Sequence, residues 1–593
     1  MKRRAIAALG LGVTALALSS ILSVAAVGAK STGASRQYVV LYEKGVSVKA
    51  ARAAIKKAGG KVLRENASIG VATVVSRNAN FVRAATATKP LRSASRNRPF
   101  GRSFAARQKH LDLAQLDRAL GSAGPPAVAP RASDDDDDDD GDRGHHRRGH
   151  KKSEPFAALQ WDMQMIHATR KGSYDEEKGN KKVLVGVIDS GIDGTHPDIA
   201  PNFDRELSRN FAADIPGLDN GCGGLPAPCL DPADVDGDAL DGHGTHVAGT
   251  IGAAINGLGT SGVAPKATLV NLRAGQDSGY FFLQATLDAM TYAADNGIDV
   301  VNMSYFTDPW LFNCRANPGD SPTEQAEQRL IIDATQRAAD YARAHGVTLV
   351  AALGNEAIDL GKPTFDPLDP TRPVDNTCIN VPTETDGVIS VSSLGPTGAK
   401  SDFSNYGVEQ TDLSAPGGFF HDSFGTTRFQ ATGNLILSTY PQSAAVANKQ
   451  LNPDGTPNVA DVLRDCKDGV CGYYRYNQGT SMASPHVAGV AALIVSEYGS
   501  KRHGNGITMD PVEVERILKE TATDTACPTP ALVDYPVIGE SEIPDALCEG
   551  TAQFNGFYGH GIVDALAAVT SDDHHDRGHG HDDDHDESDH ADD

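Results

Sequence analysis

Three residues of the chain, Asp189, His243 and Ser481, are of the types that nucleophilic catalysis needs, and each stands at a predicted junction that leads into a helix. A serine hydroxyl is a weak nucleophile until a histidine takes its proton and a carboxylate fixes the imidazole. Taken singly, each has an ordinary structural explanation: a helix N-cap, a buried histidine and an acceptor for loop N–H groups. Together, in the order Asp, His, Ser, they predict a catalytic triad.

The flanking sequences predict how these side chains are positioned. A buried apolar strand, V-L-V-G-V-I, ends at Asp189, and D-G-H-G-T-H places His243 between two glycines before a helix. Residues 478–490, Q-G-T-S-M-A-S-P-H-V-A-G-V, place Ser481 at a helix N-terminus, with Pro485 in the first turn, where its missing N–H costs nothing. The positive end of that helix would favour the negative charge of a tetrahedral intermediate.

From Trp161 onward, apolar strand segments alternate with helical segments. This alternation predicts an α/β fold, in which helices cover both faces of a mostly parallel sheet. Functional groups in such sheets gather at the carboxyl ends of the strands. The predicted strands are residues 183–188, 268–272, 300–303, 348–353 and 390–393, and the predicted helices are residues 245–254, 281–296 and 324–345.

Three stretches make the chain resemble the subtilisin-like serine peptidases, or subtilases. They are V-I-D-S-G-I-D-G-T-H-P-D, G-H-G-T-H-V-A-G and G-T-S-M-A-S-P-H-V-A-G, one around each triad residue, and the likeness covers roughly residues 156–570. The resemblance implies a subtilisin-like three-layer α/β fold and a serine endopeptidase that cleaves polypeptides without a catalytic cofactor. Two alternatives remain: a catalytically silent binding protein on the same fold, and an exported protein that binds metal through its tail.

The resemblance assigns further site residues. Asn355, in L-G-N-E, would donate a side-chain N–H to the oxyanion together with the backbone N–H of Ser481; a turn residue is the ordinary alternative. A substrate would pair as an extended strand with two stretches of the chain. These are Met303, Ser304 and Tyr305, and Ala352, Leu353 and Gly354. Because Tyr305-Phe306 stands where small residues usually follow V-N-M-S, the specificity of that pocket is not predicted.

The first 153 residues indicate export and a detachable segment. Residues 1–29 combine Lys2-Arg3-Arg4 with a long apolar run and a small-residue end, which favours a cleaved secretory signal peptide over a retained membrane anchor. Residues 36–77 predict a small β-α-β-β unit, which the resemblance identifies as part of an inhibitory propeptide of α+β, ferredoxin-like fold. We therefore expect a propeptide over 30–153, with a solvated linker over 95–153, and a peptidase domain over 154–570.

Charge is unevenly distributed around the net value of −23. Residues 30–130 carry 19 Lys and Arg against 4 Asp and Glu, whereas residues 154–570 carry 25 against 54. The two parts should attract each other. Together with the apolar alternation of the basic part, this favours an intramolecular inhibitor over a nucleic-acid-binding tail. The expected partners are polypeptide substrates and the chain's own propeptide, for a secreted protein without a stable membrane anchor.

All eight cysteines lie beyond residue 221, and an even number in an exported chain predicts disulfides. Proximity in sequence favours three pairs and leaves a fourth, although other connectivities are open. The pairs are Cys222–Cys229, Cys466–Cys471, Cys527–Cys548 and Cys314–Cys378.

The resemblance makes structural calcium possible but assigns no ligands. The loop over 254–262, A-I-N-G-L-G-T-S-G, lacks the full calcium-loop pattern. Asp234, Asp236 and Asp238 form either a solvated acidic loop or a non-catalytic calcium site. The His- and Asp-rich tail over 571–593 is predicted to be disordered, with metal capture as the alternative.

Overall fold

The computed structural model of the chain describes residues 36–97, 154–213, 242–502, 506–536 and 544–571. The predicted signal peptide, nearly all of the linker, the Cys222–Cys229 pair, the acidic residues 234–238 and the tail beyond Ser571 lie outside these residues. A small α+β unit occupies residues 36–97, and a larger α/β unit begins at Glu154.

The small unit forms one antiparallel sheet in the strand order β2-β3-β1-β4, with two helices. Its elements are β1 Arg36–Tyr42, α1 Val48–Lys57, β2 Gly60–Asn66, β3 Val71–Ser76, α2 Phe81–Thr86 and β4 Leu91–Arg96. The sequence predicted the first four elements and ended the folded unit at residue 77. The structure extends it by α2 and β4, a strand whose sequence L-R-S-A-S-R carries too few apolar residues to stand out.

Seven parallel strands form the central sheet of the larger unit, in the order β15-β14-β10-β8-β5-β7-β6. These strands are β5 Leu184–Ile188, β6 Arg209–Asn210, β7 Thr268–Arg273, β8 Val300–Met303, β10 Thr348–Ala352, β14 Val388–Leu394 and β15 Leu413–Pro416. The shorter ladders are formed by β9 Asn313–Cys314, β11 Phe365–Asp366, β12 Asp369–Pro373, β13 Cys378–Ile379, β16 Ile436–Tyr440, β17 Val462–Lys467, β18 Val470–Asn477, β19 Ser500–Lys501, β20 Ile507–Thr508, β21 Leu532–Val533 and β22 Ala546–Leu547.

Helices cover both faces of this sheet. The helices of the larger unit are α3 Trp161–Met165, α4 Ser173–Glu176, α5 His243–Gly252, α6 Leu283–Asp295, α7 Pro322–Ala344, α8 Gln442–Ala447, α9 Thr480–Tyr498, α10 Pro511–Glu520 and α11 Ala565–Val569, with 3₁₀ turns at Ala157–Leu159 and Thr432–Asn434. One apolar cluster joins α5, α9, α10 and α11 to the first face, and a second joins α6 and α7 to the opposite face. Within β10, Val350 belongs to the first cluster while Leu349 and Ala351 belong to the second, as strand alternation requires. The predicted three-layer α/β fold is confirmed.

The small unit packs on the larger one through the face of its sheet. Val39, Leu41, Ile69 and Val71 belong to the same apolar cluster as the residues of α6 and α7. The opposite face of the small sheet packs against its own helices α1 and α2. Both faces are therefore covered, one of them by the larger unit.

Three of the four predicted disulfides are present: Cys314–Cys378, Cys466–Cys471 and Cys527–Cys548. Cys314 and Cys378 are paired residues of the β9–β13 ladder, so the sheet register places them for the bond. Among the described residues, no helix has both the length and the apolar character needed to cross a bilayer.

Candidate active site

Asp189 directly follows β5, at the centre of the sheet, and its side chain is fully buried. Its Oδ1 lies 2.7 Å from His243 Nδ1 and accepts the Ser190 N–H at 2.7 Å and the Ser190 hydroxyl at 3.2 Å. The Asp189 carbonyl oxygen accepts the N–H groups of Ala274 and Gly275, which fixes the strand end. Because a carboxylate oxygen faces Nδ1, that nitrogen carries the proton of a neutral His243, and Nε2 is its basic nitrogen.

Glycines on both sides of His243 allow the start of α5 to lie close to Asp189. Gly242 has a φ of 71°, and a Cβ built on it would lie 2.5 Å from the Tyr440 ring. A Cβ on Gly244 would lie 2.1 Å from the carbonyl oxygen of Gly191, in the loop after Asp189. The start of α5 therefore rests directly on that loop, with no room for larger residues. The His243 side chain stays 23% exposed.

Ser481 is the second residue of α9, whose N-cap is Gly479. The helix thus begins at Thr480, and Pro485 lies beyond the first turn, which corrects the sequence-based placement. Because proline has no N–H, the Ser481 carbonyl lacks its regular helical donor four residues later. The Ser304 hydroxyl takes that place and donates to this carbonyl at 3.1 Å. Pro485 thus leaves the Ser481 carbonyl free to accept from Ser304, and this hydrogen bond joins the end of β8 to the start of α9.

The Ser481 hydroxyl shares one cavity of about 230 Å³ with His243. Its Oγ donates to the Ser304 carbonyl oxygen at 3.4 Å, a long hydrogen bond. A serine hydroxyl changes partner by rotation about one side-chain torsion, and catalytic hydrogen bonds are often loose before substrate binds. The structure thus shows the Asp189–His243 hydrogen bond, with the Ser481 hydroxyl in the same cavity and directed at the Ser304 carbonyl.

The side chain of Asn355 lies beside the start of α9. Asn355 Oδ1 accepts the backbone N–H and the hydroxyl of Thr480 at 2.9 and 3.0 Å, which leaves the Nδ2 end as the donor. A Cβ built on Gly479 would lie 3.6 Å from the Ser481 nitrogen and 3.7 Å from both Asn355 Nδ2 and Asn355 Oδ1, so the amide of Asn355 lies next to the Ser481 backbone. A side-chain N–H beside a helix N-terminus can help to stabilise an oxyanion.

Comparison with known proteins agrees with this geometry. Residues 180–561 match the Subtilase family, and this segment spans more than half of the chain and contains Asp189, His243 and Ser481. The chain belongs to the subtilase family, the subtilisin-like serine peptidases.

Two curated relatives and one solved structure illustrate the similarity. Fervidolysin from Fervidobacterium pennivorans is 27% identical over 378 residues, which are 61% of this subtilase and 40% of fervidolysin. Subtilisin DY from Bacillus licheniformis is 28% identical over 342 residues, 58% of this chain and 84% of its own. The structure of the epidermin leader peptide processing serine protease EpiP from Staphylococcus aureus has a TM-score of 0.60 at 22% identity, and covers 91% of this chain and 98% of its own. The structural likeness shows the fold, and the match spans less than half of fervidolysin.

The residues predicted to bind substrate divide into two groups. Ser304, Tyr305, Ala352 and Gly354 line the cavity. Met303 and Leu353 do not, because both side chains are fully buried in apolar clusters. The backbone of Leu353 is also engaged: its N–H donates to Val391 and its carbonyl accepts the Asn405 side chain.

An aromatic pair narrows the cavity next to the triad. The Tyr305 ring stacks on Phe281 with ring centroids 4.4 Å apart and an interplanar angle of 4°. Tyr305 is 8% exposed, and burial raises the pKa of its phenol, with the charge of Asp189 raising it further. The phenol therefore stays neutral, and this wall of the cavity is rigid and largely apolar.

A second wall comes from two segments, residues 305–321 and 356–381, which contribute Phe306 and Leu368 to the cavity. The Cys314–Cys378 disulfide joins the segments. Arg372 reinforces it, because its buried guanidinium pairs with Asp320 at 2.9 Å and with Asp366 at 2.8 Å. Buried charges persist when they are paired in this way. One sequence feature indicated this wall, the departure from the family pattern at Tyr305-Phe306.

Glu356, Phe281, Leu368 and Gln478 also line the cavity and were missed by the sequence reasoning. Glu356 follows Asn355 directly and accepts the Asn405 Nδ2–H at 2.6 Å. Burial raises the pKa of its carboxyl to about 6. Its position beside the predicted oxyanion donor was the available signal.

In the loop over 254–262, protein N–H groups and an ammonium occupy several of the oxygen atoms that could otherwise bind calcium. Calcium needs six to eight oxygen ligands, yet the N–H of Gly257 points at the Glu154 carboxylate and that of Thr260 at Asp198. The carbonyl oxygen of Asn256 already accepts the Lys467 ammonium at 2.5 Å. Within the described ranges, no group of three or more His, Cys, Asp or Glu side chains is placed to hold a metal. Structural calcium stays a prediction that this loop does not support.

Proposed function

We propose that this subtilase is a serine endopeptidase whose catalytic triad is Asp189, His243 and Ser481. The observation that carries the proposal is the 2.7 Å hydrogen bond from His243 to a buried Asp189, in the cavity that also holds Ser481. Asn355 and the Ser481 N–H supply the donors for the oxyanion. No catalytic cofactor is required for this chemistry.

The reaction proceeds in two halves on these residues. Ser481 Oγ attacks the carbonyl carbon of the scissile bond while His243 Nε2 takes its proton. The carbonyl oxygen becomes an oxyanion between the Ser481 N–H and Asn355 Nδ2. The intermediate collapses, the C–N bond breaks, and His243 returns the proton to the leaving amine. A water molecule then repeats the sequence on the acyl-enzyme and regenerates Ser481, while Asp189 stabilises the imidazolium without accepting its proton.

The substrate class is polypeptide in extended conformation. Ser304 and Tyr305 follow β8, and Gly354 follows β10, so both stretches continue past the carboxyl ends of adjacent parallel strands into the cavity. An extended peptide can add to such edges through its main chain. The cavity wall built by Phe306, Leu368 and the Tyr305–Phe281 pair then selects side chains.

We further propose that the enzyme is a secreted proenzyme and that residues 36–97 belong to its inhibitory propeptide. Opposite charges and polar pairs at the interface support this assignment. Arg64 pairs with Asp288 at 2.5 Å, and the Asn66 side chain donates to Asp288 at 2.9 Å and to Thr291 at 2.6 Å. A basic unit on an acidic one is the arrangement that the charge distribution predicted.

Labelling with a serine-directed fluorophosphonate tests the catalytic proposal. We expect the processed protein to be labelled and Ser481→Ala to be unlabelled. Processed wild-type protein that is folded but unlabelled would favour the alternative, a catalytically silent binding protein on this fold.

N-terminal sequencing of the secreted product tests the proenzyme proposal. We expect the mature chain to begin near Glu154 to Trp161. A chain that begins near Lys30 and is active without further processing would contradict it. Arg64→Glu, which places two like charges together at Asp288, should weaken inhibition by the separated propeptide without changing the activity of the mature enzyme.

A further inference from the structure

A second Asp–His pair lies outside the active-site cavity, between α3 and α9. His486 is in α9, one and a half turns after Ser481, and Asp162 is in α3, 324 residues earlier. His486 Nε2 lies 3.1 Å from Asp162 Oδ2, and His486 Nδ1 lies 2.8 Å from the carbonyl oxygen of Met482. The two side chains are 0% and 1% exposed. Both imidazole nitrogens therefore face oxygen atoms of the protein.

The partners of His486 determine how many protons its ring holds. A carbonyl oxygen can only accept, so Nδ1 carries a proton. An ionised carboxylate can also only accept, so Nε2 then carries a second proton and the ring is an imidazolium. The alternative is a neutral pair in which Asp162 is protonated and donates to Nε2. A buried imidazolium paired with a buried carboxylate is neutral overall, and each charge has its counter-ion within hydrogen-bond distance.

Two phenols lie close enough to Asp162 for its charge to act on them. Tyr174 and Tyr476 are buried, and burial together with the charge of Asp162 raises the pKa of both, that of Tyr476 to about 12. Both stay neutral around pH 7. They bring no competing charge to the pair from the elements packed around it.

The pair connects two functionally distinct parts of the chain. Met482 directly follows Ser481, so its carbonyl belongs to the helix start that presents the nucleophile. Asp162 belongs to the first segment after the predicted propeptide. That segment is fixed by Glu154, which accepts the Gly257 N–H, and by Gln160, which exchanges two hydrogen bonds with Ser261 at 2.8 and 3.1 Å.

We propose that Asp162 holds His486 as an imidazolium and that this buried ion pair positions the first turn of the helix carrying Ser481. Asp162 and His486 are positioning residues, since neither lines the cavity. The inference rests on the proposed function in one respect, the identity of Ser481 as the nucleophile. Its consequence is that processing must cut before Asp162, because a mature chain without that residue would lack the carboxylate that keeps His486 charged.

Nitrogen-15 NMR of the histidine side chains tests the protonation directly. The sample is the full chain with Ser481→Ala, which prevents autolysis, and His486 is assigned by the signal lost in His486→Gln on the same background. We expect both ring nitrogens of His486 to carry a proton at the pH at which the enzyme is assayed, because both face oxygen acceptors. A singly protonated His486 at that pH overturns the proposal. This experiment requires no catalytic activity.

Labelling kinetics test the positioning role. In the processed enzyme, we expect Asp162→Asn to slow fluorophosphonate labelling of Ser481 by about ten- to a hundredfold per folded molecule. KM for a peptide substrate should stay unchanged, because the pair does not contact the substrate cavity. A purely structural pair would lower the melting temperature but leave the labelling rate of the folded fraction at the parental value, and that result overturns the positioning role.

His167→Gln is the matched control. His167 follows α3 closely and also pairs with a carboxylate, Asp564, at 2.8 Å, but its side chain is 54% exposed. We expect labelling within about twofold of the parent, as surface ion pairs contribute little. An equal slowing in His167→Gln and Asp162→Asn would assign the effect to the segment rather than to the buried pair, and would contradict the proposal. A parent that is not labelled at all contradicts the proposed function instead.

Discussion

Two Asp–His pairs of this subtilase, Asp189–His243 and Asp162–His486, differ in what surrounds the imidazole. In the Asp189–His243 pair, the carboxylate takes Nδ1, and the partly exposed ring lines the substrate cavity. In the Asp162–His486 pair, oxygen atoms face both nitrogens and no part of the ring is exposed. An Asp–His pair can therefore transfer a proton, as proposed for His243, or retain it, as proposed for His486. The difference is whether the second imidazole nitrogen can reach the reacting groups.

A third buried histidine extends this comparison. The Nε2 atom of His246 faces two carbonyl oxygens, those of Ile436 at 3.1 Å and Arg475 at 3.0 Å. No carboxylate pairs with it in the described structure, and burial lowers the pKa of its imidazole to about 3. His246 is thus neutral and faces only carbonyl oxygens, whereas His243 and His486 each face a carboxylate.

Removal of the His243 imidazole should have the largest effect on kcat. We expect His243→Ala to reduce kcat by about 10⁶-fold, because loss of the base leaves Ser481 a weak nucleophile. Hydrolysis of a fluorogenic peptide by the processed enzyme measures this. Residual activity within tenfold of the parent would show that His243 is not the general base.

Asp189→Asn should come next, with a loss of about 10⁴-fold in kcat, because the amide favours the wrong imidazole tautomer. Asp162→Asn makes the same change in the Asp162–His486 pair. It should lower kcat far less and lower the melting temperature more. Melting temperature and kcat measured on both variants separate these effects. Equal losses of kcat would erase the distinction between the two pairs.

Asn355→Ala tests the donors of the oxyanion, the negatively charged oxygen that forms when Ser481 attacks the substrate carbonyl. We expect kcat to fall by about 10²–10³-fold with KM nearly unchanged, because the lost N–H acts on the oxyanion rather than on bound substrate. Steady-state kinetics with one peptide provide both constants. A rise in KM at constant kcat would assign Asn355 to substrate binding instead.

The smallest effect concerns stability and pH. A histidine whose folded pKa lies below its unfolded value of about 6.5 gives its full stabilisation above that pH, because the unfolded chain binds the proton more readily in acid. The pKa values of about 3 for His246 and about 4 for His196, both lowered by burial, therefore predict that the contribution of these two histidines to the free energy of unfolding falls between about pH 6.5 and pH 3. Burial raises the pKa of the Asp198 and Asp299 carboxyls to about 7, and these groups act in the opposite direction. Each pKa unit corresponds to about 1.4 kcal/mol.

Denaturant unfolding of the Ser481→Ala chain at pH 7 and at pH 4.5, with and without His246→Gln, isolates the contribution of His246. In His246→Gln the difference between the two pH values should be smaller, whatever the variant's stability at pH 7. An undiminished difference would place the acid sensitivity elsewhere in the chain.

The Asp189–His243 pair was predictable from sequence and the Asp162–His486 pair was not, for a physical reason. Asp189, His243 and Ser481 each stand in a local pattern of glycines and apolar residues that sets the backbone at a strand end or helix start. The role of Asp162 depends on contact with a residue 324 positions away, and W-D-M-Q-M carries no local sign of it.

The same distinction holds for the fold. The parallel strands were predicted because apolar runs such as V-L-V-G-V-I are local signals. β4 was missed, since its sequence L-R-S-A-S-R becomes a strand by pairing with β1. The cavity wall held by Arg372 was missed for a similar reason, because its two segments meet only in the folded chain.

The most direct test of the triad is to locate a fluorophosphonate adduct in the processed protein by mass spectrometry. Attachment to Ser481, lost in His243→Ala although that variant remains folded, is the result we predict. An adduct on another serine, or an undiminished adduct on Ser481 without the imidazole, would contradict the account.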